Sequence, residues 1–557
     1  MAPSPPYFDR QDLSPCSTLH FRPEGALVGD ASFFCHDQQC HLFYLSKRND
    51  DPPRLPTCQL DHAVSADLLH WTQLPTALVP GGPGEPDEDG IGGSTIVYLD
   101  GIYHMFYAGT NPQVTYHAES KDLVNWKKDD PLNPVIVPDP RWYIPHDASV
   151  QDPYNEIGWR DPFIYHDNEN RRYVMTVSAR LNEGPWTERG CVAWATSKDL
   201  SSWEVQPPLY APYIGRNLEV TELFQMDGRY FLIFCHGETN TTRYRVAEQL
   251  EGPYRCPADD ILLPTYMYAP RTIELSGKRY LIPWVADRLN GSDDNQSELS
   301  AEGFTWGGAL GTPQEIRSLS DGKLALFFPD IVEELAGEQI VNSSSLNHLH
   351  AERGEWKQGG EKVLASSDQG MARGMVAARG EDFLLSCRIR INRGVAAGLI
   401  LRAAEGGEAG YYLRLEPGMK NISLWRYPRP WFYSRPMAFS VIPNLDYEQT
   451  IDVKVILHRH VLDAYVDNRH VVSRAVHDYN EGQFGLFIED AEAEFGALVV
   501  LCRNSAGSNS ADQVRYPFSW ILLFMLEMPL CSGTSDPRRK KGGRFDTLVS
   551  CSYAAAR

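Results

Sequence analysis

Ala63-Val64-Ser65-Ala66-Asp67-Leu68-Leu69-His70-Trp71 returns as Ala118-Glu119-Ser120-Lys121-Asp122-Leu123-Val124-Asn125-Trp126. It returns again as Ala195-Thr196-Ser197-Lys198-Asp199-Leu200-Ser201-Ser202-Trp203. The shared frame is Ser-x-Asp-Leu-x-x-Trp. Beside it recurs a turn with Asp or Gly followed by an alternating aromatic strand: Asp37 to Tyr44, Asp100 to Tyr107, Asp167 to Val174, Asp227 to Phe234 and Ser276 to Trp284. Five such units with no long helical periodicity predict an all-β chain that opens with a five-bladed β-propeller. The tryptophans are unevenly spaced, so loops of different length separate the blades. A residue set that serves every blade cannot be the unique catalyst, and the frame reads as a turn with a packing Trp.

From about residue 335 the pattern changes to short polar-apolar alternation, as in Phe383 to Ile391, Ala397 to Arg402, Tyr411 to Leu415, Ile451 to Leu457 and Gln483 to Ile488. Short strands between Gly and Asn turns predict a β-sandwich. The expected division is an N-terminal extension over 1–18, the propeller over 19–325, the sandwich over 335–502 and an irregular, poorly ordered tail over 503–557. A chain of 557 residues is too long for one core, which agrees with several domains.

The formal net charge of −21 argues against a nucleic-acid partner and says nothing against a neutral sugar. Eleven scattered cysteines without a Cys-x-x-Cys pair favour neither a zinc site nor a disulfide scaffold, and Cys235 reads as a core thiol. No metal and no cofactor is called for. The N-terminus lacks a basic and apolar leader, so a cytoplasmic location is expected, with secretion left open. The run Trp520 to Leu526 is too short to span a bilayer, so no stable membrane insertion is expected. With Arg538-Arg539-Lys540-Lys541 it also reads as a weak membrane-surface anchor. Oligomeric state is not legible.

Three carboxylates open blade-like strands in separate stretches: Asp30 in Val28-Gly29-Asp30-Ala31-Ser32, Asp161 in Trp159-Arg160-Asp161-Pro162, and Glu219 in Leu218-Glu219-Val220-Thr221-Glu222. Acids gathered from distant segments suit sugar-bond hydrolysis, which uses one carboxylate as nucleophile or base and another as general acid. Trp142, Tyr143, Trp159 and Trp186 fall in long inter-blade loops, where sugar platforms occur. Taken singly, each reads more readily as a packing residue.

Taken in order, these motifs resemble glycoside hydrolase family 32, the invertase, inulinase and levanase group. Leu27-Val28-Gly29-Asp30-Ala31-Ser32 aligns with that family's Trp-Met-Asn-Asp-Pro-Asn, and His41-Leu42-Phe43-Tyr44 with its His-Leu-Phe-Tyr strand. Asp61-His62-Ala63 through Trp71 resembles its Gly-His-Ala-x-Ser-x-Asp-Leu-x-x-Trp. Gly92-Gly93-Ser94-Thr95 resembles its Ser-Gly-Ser, and Arg160-Asp161-Pro162 is unaltered. Leu218 to Phe224 resembles its Trp-Glu-Cys-Pro-Asp-Leu-Phe. The chain departs at Leu27, Gly29, Leu45 and Val220-Thr221, positions that contact the fructose ring in that family.

The resemblance implies a retaining, exo-acting β-fructofuranosidase-like hydrolase of sucrose or fructans. Asp30 is then the nucleophile, Glu219 the acid/base and Asp161 the third acid. Arg160, His62, Ser94, Glu222 and Trp159 are the expected substrate-binding residues, Glu222 also as a charge beside Glu219 if its loop folds back. A buried structural role for His62 stays open. So do an inverting arabinofuranosidase-like reading, transfer to a sugar hydroxyl, and an inactive carbohydrate-binding propeller.

Overall fold

The computed structural model describes residues 17–48, 58–128, 133–145, 158–264, 267–288, 304–335, 337–429 and 435–502. The anticipated tail and nearly all of the N-terminal extension lie outside them. Apart from short 3-10 turns, every described element is a β-strand. Three four-stranded antiparallel sheets begin at Ile91–Leu99, Arg160–Asp167 and Leu218–Met226. A fourth sheet begins at Ala26–His36 and is completed at its far edge by Ser17–Thr18, paired with His70–Leu78. Strands from Met267–Leu275 onward join one hydrogen-bonded network that runs to Gly482–Cys502. The arrangement is propeller-like. The leading strands pack side by side in chain order, and Met267–Leu275 packs back onto Ala26–His36.

The repeated sequence frame is a turn. Ser65 Oγ accepts from the amides of Asp67 and Leu68, and Asp67 Oδ1 accepts from those of Leu69 and His70. Leu68 takes a φ of +63°, and Trp71 Nε1 returns a hydrogen bond to the Leu68 carbonyl at 3.1 Å. Leu123 with Trp126 and Leu200 with Trp203 repeat the pattern, with φ of +63° and +65°. A short polar side chain accepting from following amides replaces the lost ladder, while the indole closes the turn from above. Tyr254, whose phenol donates to the Leu250 carbonyl at 2.7 Å, performs the same closure in the next sheet, disguised by the change of residue.

Each leading strand carries the same irregularity. Pairing jumps three residues on that strand against two on its neighbour, between Val28 and Ala31, Ile91 and Ser94, Arg160 and Phe163, Glu219 and Glu222, and Tyr268 and Arg271. A bulge re-aims side chains that strict alternation would hide. Three of the five contain a non-glycine residue at positive φ: Asp161, Val220 and Ala269 at +57°, +52° and +44°. For a β-branched valine this is a strained conformation, of the kind found where surroundings over-determine the backbone.

Two regions pack together through buried polar groups as well as apolar ones. Asp463, with no exposed surface, accepts from Thr312 Oγ1 and Ser473 Oγ, and its Oδ2 lies 3.8 Å from His20 Nε2. Leu19, Leu69, Phe328, Val332, Ile456 and Tyr465 form the apolar cluster beside it. Cysteine usage requires a correction: Cys35 and Cys40 form a disulfide across the hairpin that ends Ala26–His36. The turn between them makes the two cysteines cross-strand partners, which scattered spacing concealed.

Candidate active site

Bulges set the candidate residues. Asp161 is buried, and its Oδ2 accepts from Ser178 Oγ and from the Val220 amide, both at 3.1 Å. The sheet that begins at Ile91–Leu99 makes room for it with glycine: a Cβ on Gly93 would come within 3.1 Å of Asp161 Oδ1. Glu219 is held from both sides. Arg160 Nη2 donates to Oε1, and the Tyr268 phenol donates to Oε2. Arg160 also reaches toward Asp161, with Nε 3.7 Å from Oδ2. One guanidinium thus spans two of the three acids.

Asp30 completes the group. Burial, then the charges of Asp161 and Glu219, push its carboxyl up to about 7, against partial compensation by Arg271 and Arg160. Like charges crowded into a low-dielectric site disfavour one another's ionised form in this way. Arg271 is buried and donates to the carbonyls of Thr221 and Asp161 from the neighbouring strands, at 2.6 and 3.3 Å. Trp284 Nε1 donates to the Val28 carbonyl at 2.9 Å, fixing the strand that carries Asp30.

Sequence reasoning missed Tyr268, Arg271 and Trp284. A signal existed: Ala269-Pro270 opens its strand as Asp161-Pro162 opens another, and the two bulges coincide in register.

Four expected substrate contacts are placed elsewhere. Glu222 is 1% exposed and points between sheets, where its carboxylate accepts from the Thr272 amide at 3.0 Å and from Thr272 Oγ1. It lies on a strand that has no loop to fold back. Burial raises its carboxyl above the ordinary value. Ser94 is likewise buried between sheets, with its Oγ 3.0 Å from Ser32 Oγ. His62 has no exposed surface. It stacks on Phe43 at 4.3 Å and bonds to His41 at 2.9 Å, and burial lowers its pKa well below the usual histidine range. Trp159 is buried edge-on to Tyr143, and its indole bonds to Thr115 Oγ1 at 3.2 Å. The open structural role for His62 is the one observed. Arg160 alone of these five stands in the acidic group.

Among the described residues, His104, His117 and Glu119 are close enough to suggest a metal. His104 Nδ1 and His117 Nε2 instead bond to each other at 3.0 Å, and His41 with His62 repeats this pair at 2.9 Å.

Residues 20–327 match the model of the glycosyl hydrolases family 32 N-terminal domain. A sucrose-6-phosphate hydrolase of Vibrio alginolyticus is 25% identical over 362 residues, 60% of this chain and 68% of that protein. Beta-fructofuranosidase 1 of Zea mays is 37% identical over 135 residues, 22% of this chain and only 19% of its own length. Among solved structures, fructan 1-exohydrolase IIa from Cichorium intybus aligns with a TM-score of 0.65 at 15% identity, covering 88% of this chain and 97% of that one. That last likeness is one of fold.

Proposed function

The chain belongs to glycosyl hydrolase family 32, and from that premise we propose that it is a retaining, exo-acting β-fructofuranosidase acting on sucrose or fructans. The observation that carries the reading is the meeting of Asp30, Asp161 and Glu219 from three separate sheets, with Asp30 charge-coupled to the other two. In this reading Asp30 attacks the anomeric carbon. Glu219 protonates the departing oxygen and then activates water. Asp161 holds ring hydroxyls, while Arg160 and Tyr268 orient Glu219. The named activities of the Vibrio and maize relatives support a fructoside as substrate.

The finer architecture is part of the proposal. Met267–Leu275 and the strands after it, to Ser318, are read as a fifth blade within 19–325. The strands of 335–502 are read as a β-sandwich. The five coincident bulges support the first reading.

The test is hydrolysis of sucrose, inulin, levan and nitrophenyl furanosides by the purified protein, with the first-formed anomer followed by NMR. Release of fructose with retained configuration is expected. Cleavage of arabinofuranosides with inversion, and none of fructosides, would replace this reading.

A further inference from the structure

Three large apolar side chains stand exposed on loops at the end of the sheets that carry the acids: Trp186 at 39%, Tyr213 at 55% and Ile214 at 40%. Their place follows from topology. The bulges lie near the beginning of each leading strand, so the loop before Leu218 and the loop after Arg180 belong to the same mouth as the acids. Ser178 pairs with Arg160, and Arg180 lies two residues further out, about 7 Å at the rise of a strand. Trp186 sits on the loop that begins there.

A continuous path joins Glu219 to this patch. Tyr268 donates to Glu219, and a Cβ on Gly237 would lie 4.0 Å from the Tyr268 phenol. His236, beside Gly237, donates from Nε2 to the Ile214 carbonyl at 3.0 Å. On the other side, a Cβ on Gly184 would lie 3.8 Å from Tyr213 Cε1. Both loops are fastened. Gly190 donates to the Gly215 carbonyl at 2.9 Å, and the Arg216 amide to Glu238 Oε1 at 2.6 Å. Arg180 and Arg189 hold the carbonyls of Trp186 and Gly184 at 3.1 and 2.8 Å. Tyr213 itself takes a φ of +57°. The chain therefore spends strain and hydrogen bonds on presenting an aromatic ring to solvent, which its burial preference opposes.

We propose that Trp186 and Tyr213 form a stacking platform for the leaving-group side of an oligosaccharide, which makes longer fructans better substrates than sucrose. This rests on Glu219 as the acid of the proposed function. The acid protonates the departing oxygen, so the departing sugars lie on its side of the cleaved bond. The surface outward from Glu219 on that side is this patch. Aromatic faces take up the C–H face of a sugar, and their polar edges stay wet. A disaccharide ends close to Glu219. Further units of a linear fructan extend over the rings.

The experiment compares kcat/KM for sucrose and for a linear fructo-tetrasaccharide in the parent, Tyr213→Ala and Trp186→Ala, with Phe439→Ala as an exposed control remote in sequence. Each platform variant is expected to lose about ten-fold more on the tetrasaccharide than on sucrose, mainly through KM. Equal losses on both substrates, or none, overturn the proposal. So does a concentration-dependent oligomer that Tyr213→Ala abolishes without changing the substrate ratio. A parent that cleaves no fructoside sinks the functional reading instead. The platform is then decided by calorimetry of tetrasaccharide binding to Asp30→Asn. Binding weakened about ten-fold by Tyr213→Ala upholds it, and binding that is absent or unaltered overturns it.

Discussion

Tyr268 and Glu219 occupy the same bulge position on neighbouring leading strands, and the phenol of one donates to the carboxylate of the other. Burial, then the charge of Glu219, raises the phenol's pKa well above its ordinary value, so it stays a donor across the working pH range. Arg160 takes the other oxygen. The carboxylate is thereby fixed in rotation, which proton transfer requires.

Tyr268→Phe removes that donor while keeping the ring. A hydrogen bond to a charged group is worth roughly 1.5–3 kcal/mol, so kcat/KM on sucrose should fall about 10- to 100-fold. Steady-state kinetics beside a melting curve make the check. Full activity at an unchanged melting temperature would contradict the orienting role.

Glu219→Gln cannot give a proton. Hydrolysis of natural fructosides should drop by roughly 10²–10⁴, while an activated aryl fructoside, whose leaving group needs no proton, should lose far less. Azide should restore turnover of the aryl substrate and yield a retained fructosyl azide. An inverted azide from this variant would reassign the residue.

In the proposed reaction Asp30 must be ionised to attack, and its pKa is raised to about 7 in the free protein. The log of kcat/KM should therefore fall with unit slope below about pH 7. The same shift acts on stability. The folded chain binds this proton more tightly than the unfolded one, so stability declines from about pH 4 to pH 7 and is flat above. Asp30→Asn is then expected to melt about 2–4 °C higher than the parent at pH 8, with no gain at pH 4. Scanning calorimetry at both values reads this, and an equal gain at both would break the link.

Asp463 behaves in the opposite sense. The imidazoles of His20 and His470, 3.8 and 3.7 Å from its carboxylate oxygens, outweigh burial and hold its carboxyl well below the usual range. Its contribution is present above the unfolded value near 4 and is lost as pH falls toward the lower folded value. Asp463→Ala should cost about 3–5 kcal/mol at pH 7 and less at pH 3. Denaturant melts at the two values decide it, and a cost independent of pH would show that packing alone matters there.

How much of this was legible depended on whether a residue's role needed register. The Ser-x-Asp-Leu-x-x-Trp turns are local, and their hydrogen bonds run within seven residues, so the sequence displays them whole. Asp30, Asp161 and Glu219 were visible through the motifs around them. Glu222 and Ser94 were misassigned because a bulge alters which side a residue faces, and one position separates the acid mouth from the sheet interface. Tyr268 and Arg271 were overlooked because their strand opens with no carboxylate to draw notice. Cys35 and Cys40 became partners only once the hairpin between them was paired.

The shared bulge has a further consequence for how such a chain changes over time. Its shape is made by backbone and persists with Val28, Ile91, Arg160, Glu219 or Tyr268 at its first position. Scaffold and chemistry are thus separable inheritances. Any of the five seats can exchange its side chain while the ladder beneath stays paired, so drift at these positions alters what the mouth accepts before it alters whether the chain folds.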